Sequence, residues 1–509
     1  MVALVYLAIA CVVFAPGVLS PSDWVGTEAR RLQIAVEMVQ SGDWLVPTLG
    51  HEPTLSKPPL FYWVTALLHG WLPGHDWLLR TPGPAMMWVT ACLAHFLVRR
   101  SHGKGAAWCA GLGALLAPIV VATVPRAEID PLFAGLTSVS ILLMAYGAAF
   151  GQRATSALGG LVGGMAILVK GPPFAMFLVG TAAVWLRRRR GRGLPVALLA
   201  MAVPPTAYYL ALTQRLQVGT LVDVATNESV ARMALFTWGH VLDTPMHFVR
   251  AFAATLPFGL LLFFEYRGAR RAEPDDAEAF VRMLAAAFFS SVLVLAVFPA
   301  RPMRYLLPAV PLFFVAVSPS VAAFARQPWL TPGIRASLRA LALLGAAGLC
   351  ASPWLPAPMG WQTALGFLAL AVLPQIATDG RRAVATLLVL PVVAAWTFLA
   401  PFADYRTAAR EPFRAAGAVL RRAVDEAGAN DLATLLHVHS AVLLHAGLLP
   451  PGDELARRDP TAPWLLMEEG AGPTGEWSHV ARAELPPPAY VPRVRLQLPR
   501  VALLLMERR

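Results

Sequence analysis

Glu28, Arg31, Glu37 and Asp43 follow the first apolar run of this chain, and Lys57 stands before Pro58 and Pro59. Further on, Arg126 and Asp130 meet at the edge of one apolar run, and Arg304 and Tyr305 at the edge of another. Ionisable groups crowded beside a bilayer are expensive to keep there, and they mark sites. The carboxylates are general-base candidates. A lysine whose backbone is fixed by two prolines has a defined direction, and its ammonium suits a phosphate or pyrophosphate. Arg304 with Tyr305 can bind a phosphate by charge-assisted hydrogen bonds.

Each group has a plainer reading beside the chemical one. Glu28, Arg31 and Ala35 fall at helical spacing, which predicts an amphipathic helix over about 27–40, lying on the membrane surface and ended at Ser41-Gly42. Its charges, Glu37 and Asp43 among them, would then simply face water. Lys57 ahead of Phe61, Tyr62 and Trp63 also reads as an anchor above an aromatic belt. Asp130 opens an apolar run, so it reads either as a helix cap or as a second carboxylate of the site. In the 213–247 segment Asn227, Glu228, Arg232, His240 and His247 are polar candidates, the two histidines better read as satisfied imidazoles than as metal ligands. No H-E-x-x-H, Walker, G-x-S-x-G or dinucleotide-binding motif occurs, which removes support for ATP use and serine hydrolysis.

The elements that must position these residues are apolar helices. The chain has 509 residues, of which 57% are hydrophobic and 14% charged, against the ~25% charged of a soluble chain. We expect an all-α polytopic membrane protein of about 13 transmembrane helices. The spans are placed near 1–20, 82–98, 106–123, 131–149, 155–170, 172–186, 194–212, 248–264, 281–298, 305–323, 336–353, 361–378 and 383–401. The net charge of +12 is carried mostly by arginines in short loops, which is a topology signal rather than a nucleic-acid footprint. Those loops then face the cytoplasm, as does the N-terminus, and the long 21–81 loop faces outward. Cys11, Cys92, Cys109 and Cys350 lack metal or redox spacing and read as small buried residues. Residues 402–509 become more charged and turn-rich, which predicts a small external α/β domain after a transmembrane domain over 1–401.

In this order, the motifs resemble a known family. Glu28-Ala29-Arg30, Ser41-Gly42-Asp43-Trp44 and Lys57-Pro58-Pro59-Leu60 are similar to the first periplasmic loop of bacterial aminoarabinose transferases. Those enzymes are relatives of the protein O-mannosyltransferases and share the GT-C membrane fold. Arg80, Arg126 with Asp130, Lys170-Gly171-Pro172, Asn227-Glu228 with Arg232, and Arg304-Tyr305 extend the resemblance over roughly 1–325. The resemblance implies transfer of a sugar from a polyprenyl (undecaprenyl) phosphate donor to a lipid or protein acceptor outside a bacterial inner membrane, with a periplasmic C-terminal domain. It implies Glu28 and Asp130 as acidic catalytic residues. Lys57, Arg232, Arg304 and Tyr305 would hold the donor phosphate, and Thr27, Arg31, Arg126 and Glu228 would share the cavity. No cofactor is implied, and metal dependence stays open. The chain departs from the family at Thr27, where an aspartate is the proposed base. A threonine hydroxyl cannot take that role near neutral pH. A polyprenyl-phosphate-sugar binder or flippase without transfer activity is therefore the competing expectation.

Overall fold

The computed structural model describes residues 1–19, 28–50, 52–72, 75–187, 193–216, 244–255, 275–297 and 303–324, together with four strands and scattered positions beyond 335. In chain order the elements are α1 (Val2–Val18), α2 (Glu28–Ser41), β1 (Thr48–Leu49), β2 (Glu52–Pro53) and α3 (Leu60–Trp71). They continue with α4 (Pro82–His102), α5 (Lys104–Leu116), α6 (Pro118–Thr123), α7 (Ile129–Ala149), α8 (Arg153–Lys170) and α9 (Ala175–Arg187). Next come α10 (Gly193–Thr213), α11 (Thr244–Ala254), α12 (Asp276–Val297) and α13 (Ala309–Phe324). The strands are β3 (Leu432–Thr434), β4 (Trp464–Glu468), β5 (Trp477–Glu484) and β6 (Ala502–Arg508).

Four helical stretches among the described residues are long and apolar enough to cross a membrane: Lys104–Thr123, Ile129–Ala149, Gly193–Thr213 and Asp276–Val297. They fall on expected spans. Val2–Val18, Pro172–Leu186 and Ala309–Ala323 are shorter apolar helices on three more. The protein is a multi-pass helical membrane protein. The expected spans near 336–353, 361–378 and 383–401 lie, but for single positions, outside the described residues.

The chain divides into two units. The first comprises residues 1–19, 56–61 and 80–401. At its centre is α7, buried at every one of its 21 positions. It packs along α8, α4 and α12, and α8 packs in turn along α10. Gly160 and Gly164 allow the α8–α10 approach, because a Cβ on either would run into backbone of Ala197 or Met201. Ser138 and Ser140 of α7 donate their hydroxyls to the carbonyls of Pro308 and Gly159, which satisfies both inside the helical bundle. Cys92 and Cys109 are half-buried and Cys11 is exposed, so the expectation of buried cysteines fails at Cys11, whose helix presents an apolar outer face.

The second unit comprises residues 20–55, 62–79 and 402–509. Helix α2 runs where the spacing placed it, but it does not float on a surface: nine of its 14 residues are buried, Glu28 and Glu37 included. Strands β1 and β2 form a short antiparallel pair. Among the residues beyond 402, β3–β6 form one sheet in the order β3-β4-β6-β5, with β3 parallel to β4 and the other pairs antiparallel.

Candidate functional site

The first unit gathers three charged side chains and a tyrosine that are distant in the sequence. Helix α7 begins at Ile129 after an extended Glu128, which puts Asp130 in its first turn rather than at the cap. Asp130 Oδ1 pairs with Lys170 Nζ, and its Oδ2 lies 2.9 Å from Arg304 Nε. Burial sets the strength of the first pair: the side chains of Lys170 and Asp130 are 8% and 12% exposed. Half of Arg304 remains accessible, at 49%.

Local structure fixes each member. Lys170 is the last residue of α8, which stops because Gly171 turns at φ 81°, ψ −141° and Pro172 follows. That backbone region is open to glycine alone. The Lys170 ammonium stands 3.8 Å from the centre of the Tyr305 ring and 5.5 Å from that of Phe133, so two aromatic faces bracket it. Arg304 and Tyr305 come from the 3-10 turn Met303–Leu306 that leads into α13. The Arg304 guanidinium lies 6.0 Å from the Tyr305 ring centre.

Lys57 belongs to the same unit. Its ammonium donates to the Ser56 carbonyl at 2.6 Å. A Cβ built on Gly171 would come 4.0 Å from Pro58 Cγ, so the Lys57-Pro58 segment runs beside the Lys170-Gly171 turn. Arg126 is half-buried in the bend ahead of α7. Within the Asp130 cluster, two cations face one carboxylate. The half-exposed Arg304 guanidinium leaves a cationic edge of the cluster accessible, which suits an anionic group. Both carboxylate oxygens of Asp130 are engaged by cations.

The second unit holds the other candidates. Glu28, buried, opens α2, where the helix dipole favours a carboxylate. Arg31 donates to the Tyr62 hydroxyl at 2.6 Å and lies over its ring. Glu37 corrects the expectation of a water-facing charge. It accepts from Gln33 Nε2, Thr48 Oγ1 and the Gly50 amide, each at 2.8 Å, and so ties β1 to α2. Asp43 likewise serves the chain itself, accepting from the Leu45 and Val46 amides. His247 is buried with Nε2 3.1 Å from the Val292 carbonyl, a satisfied imidazole. Thr27, Glu228 and Arg232 lie outside the described residues. Among the described residues no group of three His, Cys, Asp or Glu side chains could hold a metal ion.

Comparison with known proteins points the same way. Residues 56–216 match the family model of dolichyl-phosphate-mannose-protein mannosyltransferase. An undecaprenyl phosphate-alpha-4-amino-4-deoxy-L-arabinose arabinosyl transferase of Edwardsiella ictaluri is 30% identical over 210 residues, 38% of this chain and 36% of that protein. Its counterpart in Pseudomonas paraeruginosa is 28% identical over 194 residues, 35% of each chain. The chain thus matches little more than a third of the length of these curated relatives. The crystal structure of ArnT from Cupriavidus metallidurans bound to undecaprenyl phosphate superposes with a TM-score of 0.72. That match has 18% identity and covers 99% of this chain and 97% of the other. The chain shares the fold of ArnT, the GT-C fold.

Within this ArnT-like frame, sequence reasoning singled out Asp130, Arg304 and Tyr305, and the structure brings all three together. It matched Lys170-Gly171-Pro172 to the family but gave Lys170 no role in the site. The available signal was a lysine ending an apolar helix directly before a glycine, where its stem has apolar neighbours and its ammonium needs a carboxylate.

Proposed function

We propose that this chain is an inner-membrane glycosyltransferase that takes a sugar from a polyprenyl (undecaprenyl) phosphate donor. It passes that sugar to a lipid (lipid A-like) or protein acceptor on the periplasmic face. The observation that carries this reading is the Asp130–Lys170–Arg304–Tyr305 cluster, an anion-seeking site in a helical membrane unit, with the Lys57-Pro58 segment alongside. The GT-C fold and the donor named for the similar arabinosyl transferases support the same donor class.

The chemistry assigned to these residues is charge stabilisation. An acceptor hydroxyl attacks the anomeric carbon, the bond from that carbon to the phosphate oxygen breaks, and polyprenyl phosphate leaves. Negative charge builds on the phosphate as it departs, and preorganised cations lower the barrier by meeting it there. Arg304, Tyr305 and Lys57 are assigned to the phosphate, with Arg232 from the 213–247 segment. Asp130 holds Lys170 and Arg304 in place. Glu28 is assigned the acceptor's proton, because Thr27 cannot take it. The N-terminus is assigned to the cytoplasm, and residues 402–509 to a periplasmic α/β domain.

Thr27 also keeps the binder reading in play. One assay separates the two: purified protein is given a polyprenyl-phosphate sugar and an acceptor extract, and sugar release is followed. Turnover supports the transferase. Donor binding without turnover, across donors and acceptors, supports the binder.

A further inference from the structure

The second unit carries an apolar groove that the transfer chemistry does not use. It has a volume of about 460 Å³ and is walled by Val39, Trp44, Ala66, Leu67, Leu68 and Trp71. Among the described residues no charged side chain lines it. Two of the walls are open to the surroundings: Leu67 is 62% exposed and Trp71 is 77% exposed. Leu72 and Trp77, just beyond α3 in the chain, are exposed as well. The groove has a rigid edge, because Trp63 Nε1 donates to the Trp44 carbonyl at 2.5 Å and pins the Asp43–Leu45 turn to α3.

We infer that this groove holds the acyl chain of a bilayer phospholipid and fixes the α2–α3 segment at the membrane interface. Three observations favour that occupant. The described walls are hydrocarbon and indole, with no carboxylate, ammonium, guanidinium, hydroxyl or amide side chain among them, so the matching ligand is a hydrocarbon chain. The rim residues Trp44 and Trp71 have the amphipathic rings that collect where hydrocarbon meets headgroups. The segment also belongs to a multi-pass membrane protein, in which an exposed patch of this composition facing water would be a liability. The structure thereby moves the interfacial role from α2, which is buried, to the outer face of α3. The inference rests on the chain being a membrane protein and does not require it to transfer sugar.

The test uses full-length protein in nanodiscs containing phosphatidylglycerol with a diazirine near the end of one acyl chain. Labelled peptides are mapped by mass spectrometry, and a parallel arm carries the diazirine on polyprenyl phosphate. Label is expected on Leu67, Leu68 or Trp71 in the phospholipid arm. Gly70→Leu fills the groove from within; a Cβ at Gly70 meets only the Val39 methyls, at 3.9 Å, so this helix position accepts a side chain. That variant should lose label roughly tenfold, because each methylene kept out of the groove weakens lipid binding. Absence of label at these residues in the wild-type protein overturns the inference. So does label from polyprenyl phosphate alone, or label that persists unchanged in Gly70→Leu.

Discussion

Asp130→Asn keeps the shape of the side chain and removes its charge, and its consequence can be worked from the cluster's geometry. Lys170 is 8% exposed, so its ammonium loses a carboxylate without gaining water. Breaking a buried pair by removing one partner costs ~3–5 kcal/mol. The Arg304 arm adds about 1 kcal/mol at most, because that side chain is half in solvent and water screens the pair. The asparagine oxygen still accepts a hydrogen bond, which returns about 1 kcal/mol. The Tyr305 face at 3.8 Å is untouched. The net expectation is a loss of ~2–5 kcal/mol. Asp130→Asn combined with Lys170→Met leaves no uncompensated buried charge, so the double variant should recover most of that loss while staying impaired in donor binding. Denaturant unfolding of purified protein in micelles, followed by intrinsic fluorescence, measures both. The reasoning is refuted if Asp130→Asn stays within ~0.5 kcal/mol of wild type, or if the double variant is less stable than the single one.

Three further outcomes are expected. Glu37→Ala strands Gln33, Thr48 and the Gly50 amide, and should destabilise the hairpin by ~2–4 kcal/mol, seen as proteolysis between 43 and 55 in a helical unit that stays intact. Gly171→Ala forces a side chain into a glycine-only region at ~1–3 kcal/mol, and should shift Lys170 enough to weaken donor binding measurably by equilibrium titration. Glu28→Gln should lower the transfer rate by ~10²–10⁴-fold with donor affinity little changed, read by single-turnover kinetics; an unaltered rate removes Glu28 from the base role.

Helices were the most legible part of the chain. Runs such as Ile129–Ala149 announce themselves by apolar length, and Gly103 and Gly171 mark the ends of α4 and α8. Helix α3 was not legible. Its Phe61-Tyr62-Trp63 start reads as an interfacial belt, and only the packed structure turns Phe61 and Tyr62 inward while leaving Leu67 and Trp71 outside. The charged residues stood out in the sequence, but the partners they take did not. Glu37 and Asp130 look alike in sequence, yet one knots a hairpin to a helix and the other yokes two cations. That difference depends on partners such as Thr48 and Gly50 for Glu37 and Lys170 and Arg304 for Asp130, which no local pattern announces.

The central claim is that the Asp130–Lys170–Arg304–Tyr305 cluster receives the phosphate of a polyprenyl-phosphate donor. Its most direct test is equilibrium binding of polyprenyl phosphate against the uncharged polyprenol, in wild-type protein and in Arg304→Gln. A charge-assisted hydrogen bond contributes ~1.5–3 kcal/mol, so wild type should prefer the phosphate strongly and Arg304→Gln should bind it about 10–150-fold more weakly. Equal affinity for phosphate and polyprenol in the wild-type protein, or an Arg304→Gln variant with unchanged phosphate affinity, would contradict the claim.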